Sequence, residues 1–268
     1  MSNFNNNPYL AHIFIYPIKS LDGIWIPQST ILDSGALTYD RQWAIFDDND
    51  RFVNGKRNNK IYQLRTSFNT QVTQVFLQVE GSKEKIEFNL QTERKEIEVF
   101  LSDFLGFSVH LKENKITGFP DDTNASGPTI ISTATIEAIA NWFPNIEFAE
   151  IRRRLRANLE INGVPAFWED QLFANQNQWV NFRIGQINFQ GINPCQRCIV
   201  PTKNSQTGEV TNNFQSQFIT KRKDTLPPWV NPSQFNHFYR VSVNTKIVDS
   251  ALDKVLKVGD KIEIIGVG

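Results

Sequence analysis

Only two of the 268 residues are cysteine, three are histidine and one is methionine. Two cysteines do not make a disulfide framework, so a reducing, cytoplasmic setting is expected. His12, His110 and His237 stand far apart in the sequence, which leaves a closed four-ligand zinc site short of donors. No apolar run approaches the roughly 20 residues needed to cross a bilayer, so no membrane span is expected. The segment Met1 to Tyr9 is polar and rich in asparagine, without the basic and apolar regions of a signal peptide. Neither sign of charge is in excess, because 28 Lys and Arg balance 28 Asp and Glu. A nucleic-acid surface would need a basic excess, so nucleic acid is not an expected partner. Internal repeats and low-complexity tracts are absent from the sequence.

What the chain does have is length and aromatic bulk. Its 268 residues suffice for one large or two ordinary domains, and 21 Phe with six Trp point to an aromatic core. Short runs of β-forming residues recur between turn signals. Ile13–Tyr16 reads as a buried strand, followed by Ile24–Ile26 and Ser29–Leu32. Asp40–Phe46 resumes as a strand, and Asp47–Asp50 is a polar hairpin loop. Asn54–Lys60 is a basic, amide-rich patch, and alternation returns in Gln71–Val79 and Lys85–Leu90. This spacing predicts a mainly β architecture of barrel type with a few helices. Helices are expected around Phe100–Phe107, ending at Gly106, and after Ser132 or Thr133 to about Asn141, with Ile136, Ile139 and Ala140 inward. Later strands are expected at Ile130–Ser132, Ala157–Ile161, Phe182–Phe189, Phe238–Val243 and Ile262–Ile265. The division between two β-rich domains is expected near residue 115, giving 1–115 and 116–268.

Both cysteines fall in one stretch, Pro194-Cys195-Gln196-Arg197-Cys198-Ile199-Val200-Pro201-Thr202, closed by Thr207-Gly208-Glu209. A Cys-x-x-Cys pair permits several chemistries. It can be half of a zinc site, although the ligand supply is short. It can be a redox dithiol, which wants a helix directly after the pair, whereas Ile199–Pro201 read as strand and turn. The two can be small buried hydrophobes. One thiolate can also bind a soft metal beside a cation, here Arg197. The most basic run, Arg152–Arg156, reads as a solvated face. Arg156 and Asn158 are two apart, so on a strand they point the same way. Glu169 and Asp170 read as structural.

The cysteine stretch with Thr202 and Thr207-Gly208 resembles the signature of MOSC domains. Tyr16-Pro17-Ile18-Lys19-Ser20 and Asp40-Arg41-Gln42-Trp43 resemble the N-terminal β-barrel domain that precedes MOSC in the amidoxime-reducing branch of that family. Phe52-Val53 with Lys56 and Arg57 adds to this. Gly118–Asp122 is similar to the lead-in of MOSC domains, and Leu256–Ile265 to their ending.

The resemblance implies a β-barrel N-terminal domain and a MOSC domain around a molybdenum cofactor. Cys198 would be the thiolate ligand of molybdenum and the catalytic centre. Lys19, Ser20, Arg41, Arg156, Asn158 and Arg197 would contact the cofactor, the cations matching the pterin phosphate. Cys195 would be structural. The implied activity is a molybdenum-dependent oxidoreductase, independent of pyridoxal phosphate, that reduces N-hydroxylated small molecules. Two cysteines leave no four-cysteine iron–sulfur module, so a separate flavin or iron–sulfur reductase is the expected partner. The rival readings are a cofactor carrier or sulfur-transfer protein, and a β-barrel interaction module with an inert Cys198. Asn204-Ser205-Gln206 and Pro201 depart from the family pattern close to the expected rim, which bears on substrate choice.

Overall fold

The computed structural model describes residues 7–175, 177–248 and 254–268. Most of the polar N-terminal segment, residues 1–6, therefore lies outside the described residues. Strand β1 (Tyr9–Ile15) buries Leu10, Ile13 and Ile15. The odd spacing of Leu10 and Ile13 is possible because the register shifts between Leu10 and His12, a bulge that resets the alternation. Short β2 (Ile24–Ile26) and β3 (Gln28–Thr30) follow, then β4 (Trp43–Asp47). Leu64–Phe68 (β5), Gln74–Val79 (β6) and Lys85–Asn89 (β7) form a three-stranded antiparallel sheet. Helix α1 (Arg94–Leu105) begins earlier than the apolar spacing suggested and ends at Gly106, whose φ of 85° supplies the left-handed stop. Strand β8 (Val109–Glu113) returns to pair with β4.

The second half opens with β9 (Ile130–Ser132), α2 (Thr133–Trp142), α3 (Phe148–Leu155) and β10 (Leu159–Asn162). Ser132 caps α2 by accepting from the Thr135 amide at 3.1 Å. Strands β9 and β10 are parallel, so the two helices form the crossover that parallel pairing demands. Then come β11 (Val180–Ile184), β12 (Ile187–Gln196), α4 (Phe214–Asp224), β13 (Arg240–Ile247), β14 (Val255–Lys257) and β15 (Ile262–Val267).

One eight-stranded sheet runs in the order β15-β11-β12-β13-β9-β10-β1-β2. Strands from both sides of residue 115 thus share it. The Leu10 amide donates to Asp260 O at 2.8 Å and the Ile262 amide to Pro8 O at 2.9 Å. These bonds join the start of β15 to β1, so the sheet curls back on itself and shields its flanks. Its interior holds Ile13, Leu159, Phe182 and Phe189, while a second cluster of Trp142, Phe143, Phe214, Phe218 and Tyr239 sits beneath α2 and α4. The mainly β structure expected from the turn-and-strand spacing is what is found, with four α-helices among the described residues where the sequence marked two. Among the described residues no helix is long and apolar enough to cross a membrane.

Four local expectations are corrected. Asp40–Gln42 is a turn, and β4 begins only at Trp43, because Arg41 takes a left-handed φ of 51°. Phe182–Phe189 is a hairpin of two strands turning at Gly185, φ 56°. Val200–Thr202 is a single 3-10 turn and not strand. Arg156 belongs to the end of α3, so strand structure starts at Leu159.

Candidate functional site

Strand β12 runs out through Pro194 and Cys195, and the chain turns at Ile199 into the 3-10 turn. The two cysteines part company there. Cys195 is buried and its thiol donates to Asn244 Oδ1 at 2.6 Å, while burial raises its pKa. Cys198 is exposed, and both thiols are free. Arg197, between them, is anchored by its backbone amide to Tyr239 O at 3.0 Å and by Nη2 to Leu155 O at 2.6 Å. Its Nε is buried without a partner. The guanidinium therefore docks on the last turn of α3 instead of facing solvent.

The basic run is not a solvated face. Arg152 makes two contacts to Glu160, at 2.8 and 2.9 Å. Arg154 is 3% exposed and pairs with Glu150 at 2.7 Å, one helical turn away. Arg153 shares the same Glu150 at 2.9 Å. Three arginines in the last turn also suit the negative end of the helix dipole. Arg156 differs from all of them. As the left-handed cap, φ 52°, it turns out of the helix, and its guanidinium has no hydrogen bond or ion pair among the described residues. It lies instead over the Tyr16 ring, 4.0 Å from the centroid. Arg156 and Asn158 do reach one cleft, through this cap and not through a shared strand face.

Asn158 is 2% exposed and works as a bracket. Its Nδ2 donates to Phe14 O at 3.0 Å, and its Oδ1 accepts from the Thr129 amide at 3.3 Å and from Arg41 at 3.4 Å. Arg41 is ion-paired with Asp40, whose other oxygen accepts the Tyr16 amide at 2.9 Å. Burial opposes the Arg41 charge, but Asp40 and Asp121 outweigh it and raise its pKa. Lys19 donates to Asp121 at 2.7 Å and to Phe119 O at 2.8 Å. Burial lowers the Lys19 pKa, with Asp121 pulling the other way. For Asp121 burial works upward, yet Lys19 and Arg41 hold its carboxyl well below the usual range. Ser20, φ 76°, keeps its hydroxyl without a hydrogen bond among the described residues.

All seven residues singled out in the sequence, Lys19, Ser20, Arg41, Arg156, Asn158, Arg197 and Cys198, line one cleft of about 790 Å³. Eleven lysines and arginines face it against four aspartates, in a chain of zero formal charge. Most of those cations have hydrogen-bond or ion-pair partners, and two have neither among the described residues. They are Arg156 and Lys56, whose ammonium has no hydrogen bond or ion pair among the described residues. The sequence reading missed Tyr16 as a ring between two guanidiniums, and it missed Tyr62 and Lys203. Tyr62 lines the cleft, and burial and Cys198 push its hydroxyl up to about 12. No local sequence signal marks either of the last two.

Residues 7–146 match the MOSC N-terminal beta barrel domain, and residues 125–263 match the MOSC domain. The chain belongs to the MOSC family. This MOSC protein is 26% identical over 234 residues to a molybdenum cofactor sulfurase of Drosophila grimshawi, covering 75% of this chain and 29% of that protein. It is 25% identical over 235 residues to the molybdenum cofactor sulfurase of Danio rerio, covering 70% and 27%. The chain thus spans less than a third of the length of these relatives. Among solved structures it is similar to a crystal structure of a hypothetical protein at a TM-score of 0.43 and 8% identity, covering 98% of this chain and 70% of that one.

Two polar features of the MOSC protein lie elsewhere. Glu169 and Asp170 are buried in a 3-10 turn away from the cleft. Asp170 pairs with Arg222 of α4 at 2.5 Å, and Arg222 is stacked 4.3 Å from the Phe167 centroid. Asp170 thereby fastens α4, while Glu169 accepts from Thr135 of α2 at 3.0 Å. His12 lies against Glu160 at 3.5 Å and His110 against Asp48 at 3.1 Å. Among the described residues no three His, Cys, Asp or Glu side chains gather into a metal cluster.

Proposed function

We propose that this MOSC protein binds a molybdopterin-type cofactor in the cleft, with Cys198 as thiolate ligand of molybdenum. The observation that carries this reading is an exposed thiol facing a cationic cleft in which Arg156 and Lys56 make no hydrogen bond or ion pair among the described residues. The donor set fits such a group. A soft thiolate suits molybdenum, and the planar guanidinium of Arg156 can take two phosphate oxygens where Lys56 offers a point charge. Lys19 is available to an anion only in competition with Asp121. Arg41 and Asn158 hold the wall through Asp40, Thr129 and Phe14. Ser20 has a hydroxyl without a hydrogen bond among the described residues, available to donate. Arg197 keeps a positive charge next to the thiolate while remaining fixed to Leu155 O.

The activity we assign is an oxidoreductase of the cytoplasm that converts N-hydroxylated small molecules to the parent amine or amidine. The N–O bond breaks, two electrons and two protons enter, and water leaves. A molybdenum cofactor, when bound, supplies the two-electron chemistry, and a separate flavin or iron–sulfur reductase supplies the electrons. The chain's own part is to bind, orient and shield. The test is turnover of hydroxylamine or benzamidoxime by molybdenum-loaded protein with such a reductase. Steady loss of substrate in proportion to molybdenum content is expected, and no turnover with any flavin or iron–sulfur donor overturns the oxidoreductase reading.

A second reading is favoured by the relatives, which are molybdenum cofactor sulfurases. Here Cys198 would carry sulfane sulfur. Cyanide-labile sulfur bound to wild-type protein and absent from Cys198→Ser, with no molybdenum in either, supports that reading against the first.

A further inference from the structure

Two loops from opposite halves of the chain are fastened together beside the cleft. The first is the amide-rich loop that carries Asn54, Gly55 and Lys56. The second, residues 203–208, directly follows the turn after Cys198. Lys203 is 8% exposed, and among the described residues no carboxylate pairs with it. Its ammonium donates to Gly55 O at 2.9 Å and to Asn59 Oδ1 at 2.8 Å, and lies 5.4 Å from the Tyr62 centroid. A buried charge needs such acceptors to offset its lost hydration. Tyr62 donates to the same Gly55 carbonyl at 3.1 Å. Gly208, φ 74°, lies close against Tyr62, where an added Cβ would stand 2.8 Å from a ring carbon. Arg65 reaches Ser205 O at 3.4 Å.

The second loop is held equally firmly on its far side. Ser205 gives both its amide, at 2.7 Å, and its hydroxyl, at 2.6 Å, to Glu150. Glu150 is the carboxylate that also anchors Arg153 and Arg154 in α3. Glu150 of α3 thus holds Ser205, and Lys203, two residues earlier in the same segment, holds Gly55. Without Lys203, the Gly55 carbonyl keeps Tyr62, but Asn59 loses its tie to the MOSC half.

We propose that Lys203 is a positioning residue: it pins the Asn54–Lys56 wall of the cleft to the segment that carries Cys198, and so holds the cleft at its working width. The geometric half stands alone; the consequence for cofactor retention rests on the proposed function. Lys203→Met removes the ammonium and keeps the stem against Tyr62. Amide exchange over residues 54–62 should speed up about tenfold or more in this variant, with β10 and β12 unchanged. Asn59→Ala should produce part of that effect, and the double variant no more than Lys203→Met alone. Unchanged exchange over 54–62 in Lys203→Met overturns the clamp. If that variant exchanges fast throughout, Asn59→Ala decides, and unchanged exchange over 54–62 there overturns it.

In molybdenum-loaded protein, Lys203→Met should release cofactor about tenfold faster than wild type does. A wild-type release rate overturns the functional half. If wild type takes up no molybdenum at all, the functional reading has failed, and the exchange result still decides the clamp.

Discussion

Arg156 lies with its guanidinium 4.0 Å from the centroid of the Tyr16 ring and makes no hydrogen bond or ion pair among the described residues. Arg41 stands 5.3 Å from the same ring. A cation over an aromatic face gains about 0.5–2 kcal/mol, depending on how far water is excluded. Tyr16→Leu should therefore loosen Arg156 and weaken cofactor retention by roughly 3- to 30-fold. Tyr16→Phe keeps the ring face and loses only a long hydroxyl contact to Ala157 O, 3.4 Å. It should retain the cofactor like wild type. Molybdenum remaining after extended dialysis measures both, and equal loss in the two variants would remove the ring from the account.

The left-handed backbone of Arg156 makes a second prediction, one that separates folding from binding. At φ 52° a side chain is strained, and glycine is not. Arg156→Gly should be more stable than Arg156→Ala by about 1 kcal/mol, the reverse of their order inside a helix. Both should lose the cofactor to the same extent. Urea midpoints of the two variants give the comparison, and an alanine variant at least as stable as the glycine one contradicts it.

Glu169 predicts a pH dependence. Burial, reinforced by Asp170, pushes its carboxyl up to about 7. Thr135 donates to one of its oxygens at 3.0 Å, and the other is buried without a partner. The unfolded chain releases this proton near pH 4 and the folded chain near pH 7, so folding favours the protonated form. Stability from this group is full below the unfolded value and is lost as pH rises through the folded one. The fall should be on the order of 3 kcal/mol. Asp170 is raised in the same direction by burial, against the pull of Arg222. Glu169→Gln should flatten the decline and stabilise the protein above pH 7. Chemical unfolding at a series of pH values tests this, and parallel curves for the two proteins would contradict it.

Much of the strand content could be read from alternation, because half-buried strands impose it on Ile13–Ile15, Gln74–Val79 and Lys85–Asn89. Cys198 and the cations could be read through their resemblance to a known signature. The backbone between them could not. Arg41 and Arg156 both adopt a conformation that glycine or asparagine usually signals, so each was assigned to a strand. Their placement comes from tertiary contacts with Asp40, Tyr16 and Asn158, which lie up to 142 positions apart in the chain. Arg222 shows a fainter signal. It follows Phe214 and Phe218 at spacings of four, which puts it on the buried face of α4 despite its place between Lys221 and Lys223. Lys203 carried no such mark, since its partners come from the other half of the chain.

The central claim is that Cys198 holds molybdenum, and elemental mass spectrometry tests it most directly. The protein is made in a host that synthesises the cofactor, together with Cys198→Ser and Cys195→Ser. Serine at 195 can still donate to Asn244, so that variant should load like wild type. Near-stoichiometric molybdenum in wild type and Cys195→Ser, with strong loss in Cys198→Ser, is the predicted result. Equal molybdenum in Cys198→Ser, or none in wild type beside a fully loaded control enzyme, would contradict it.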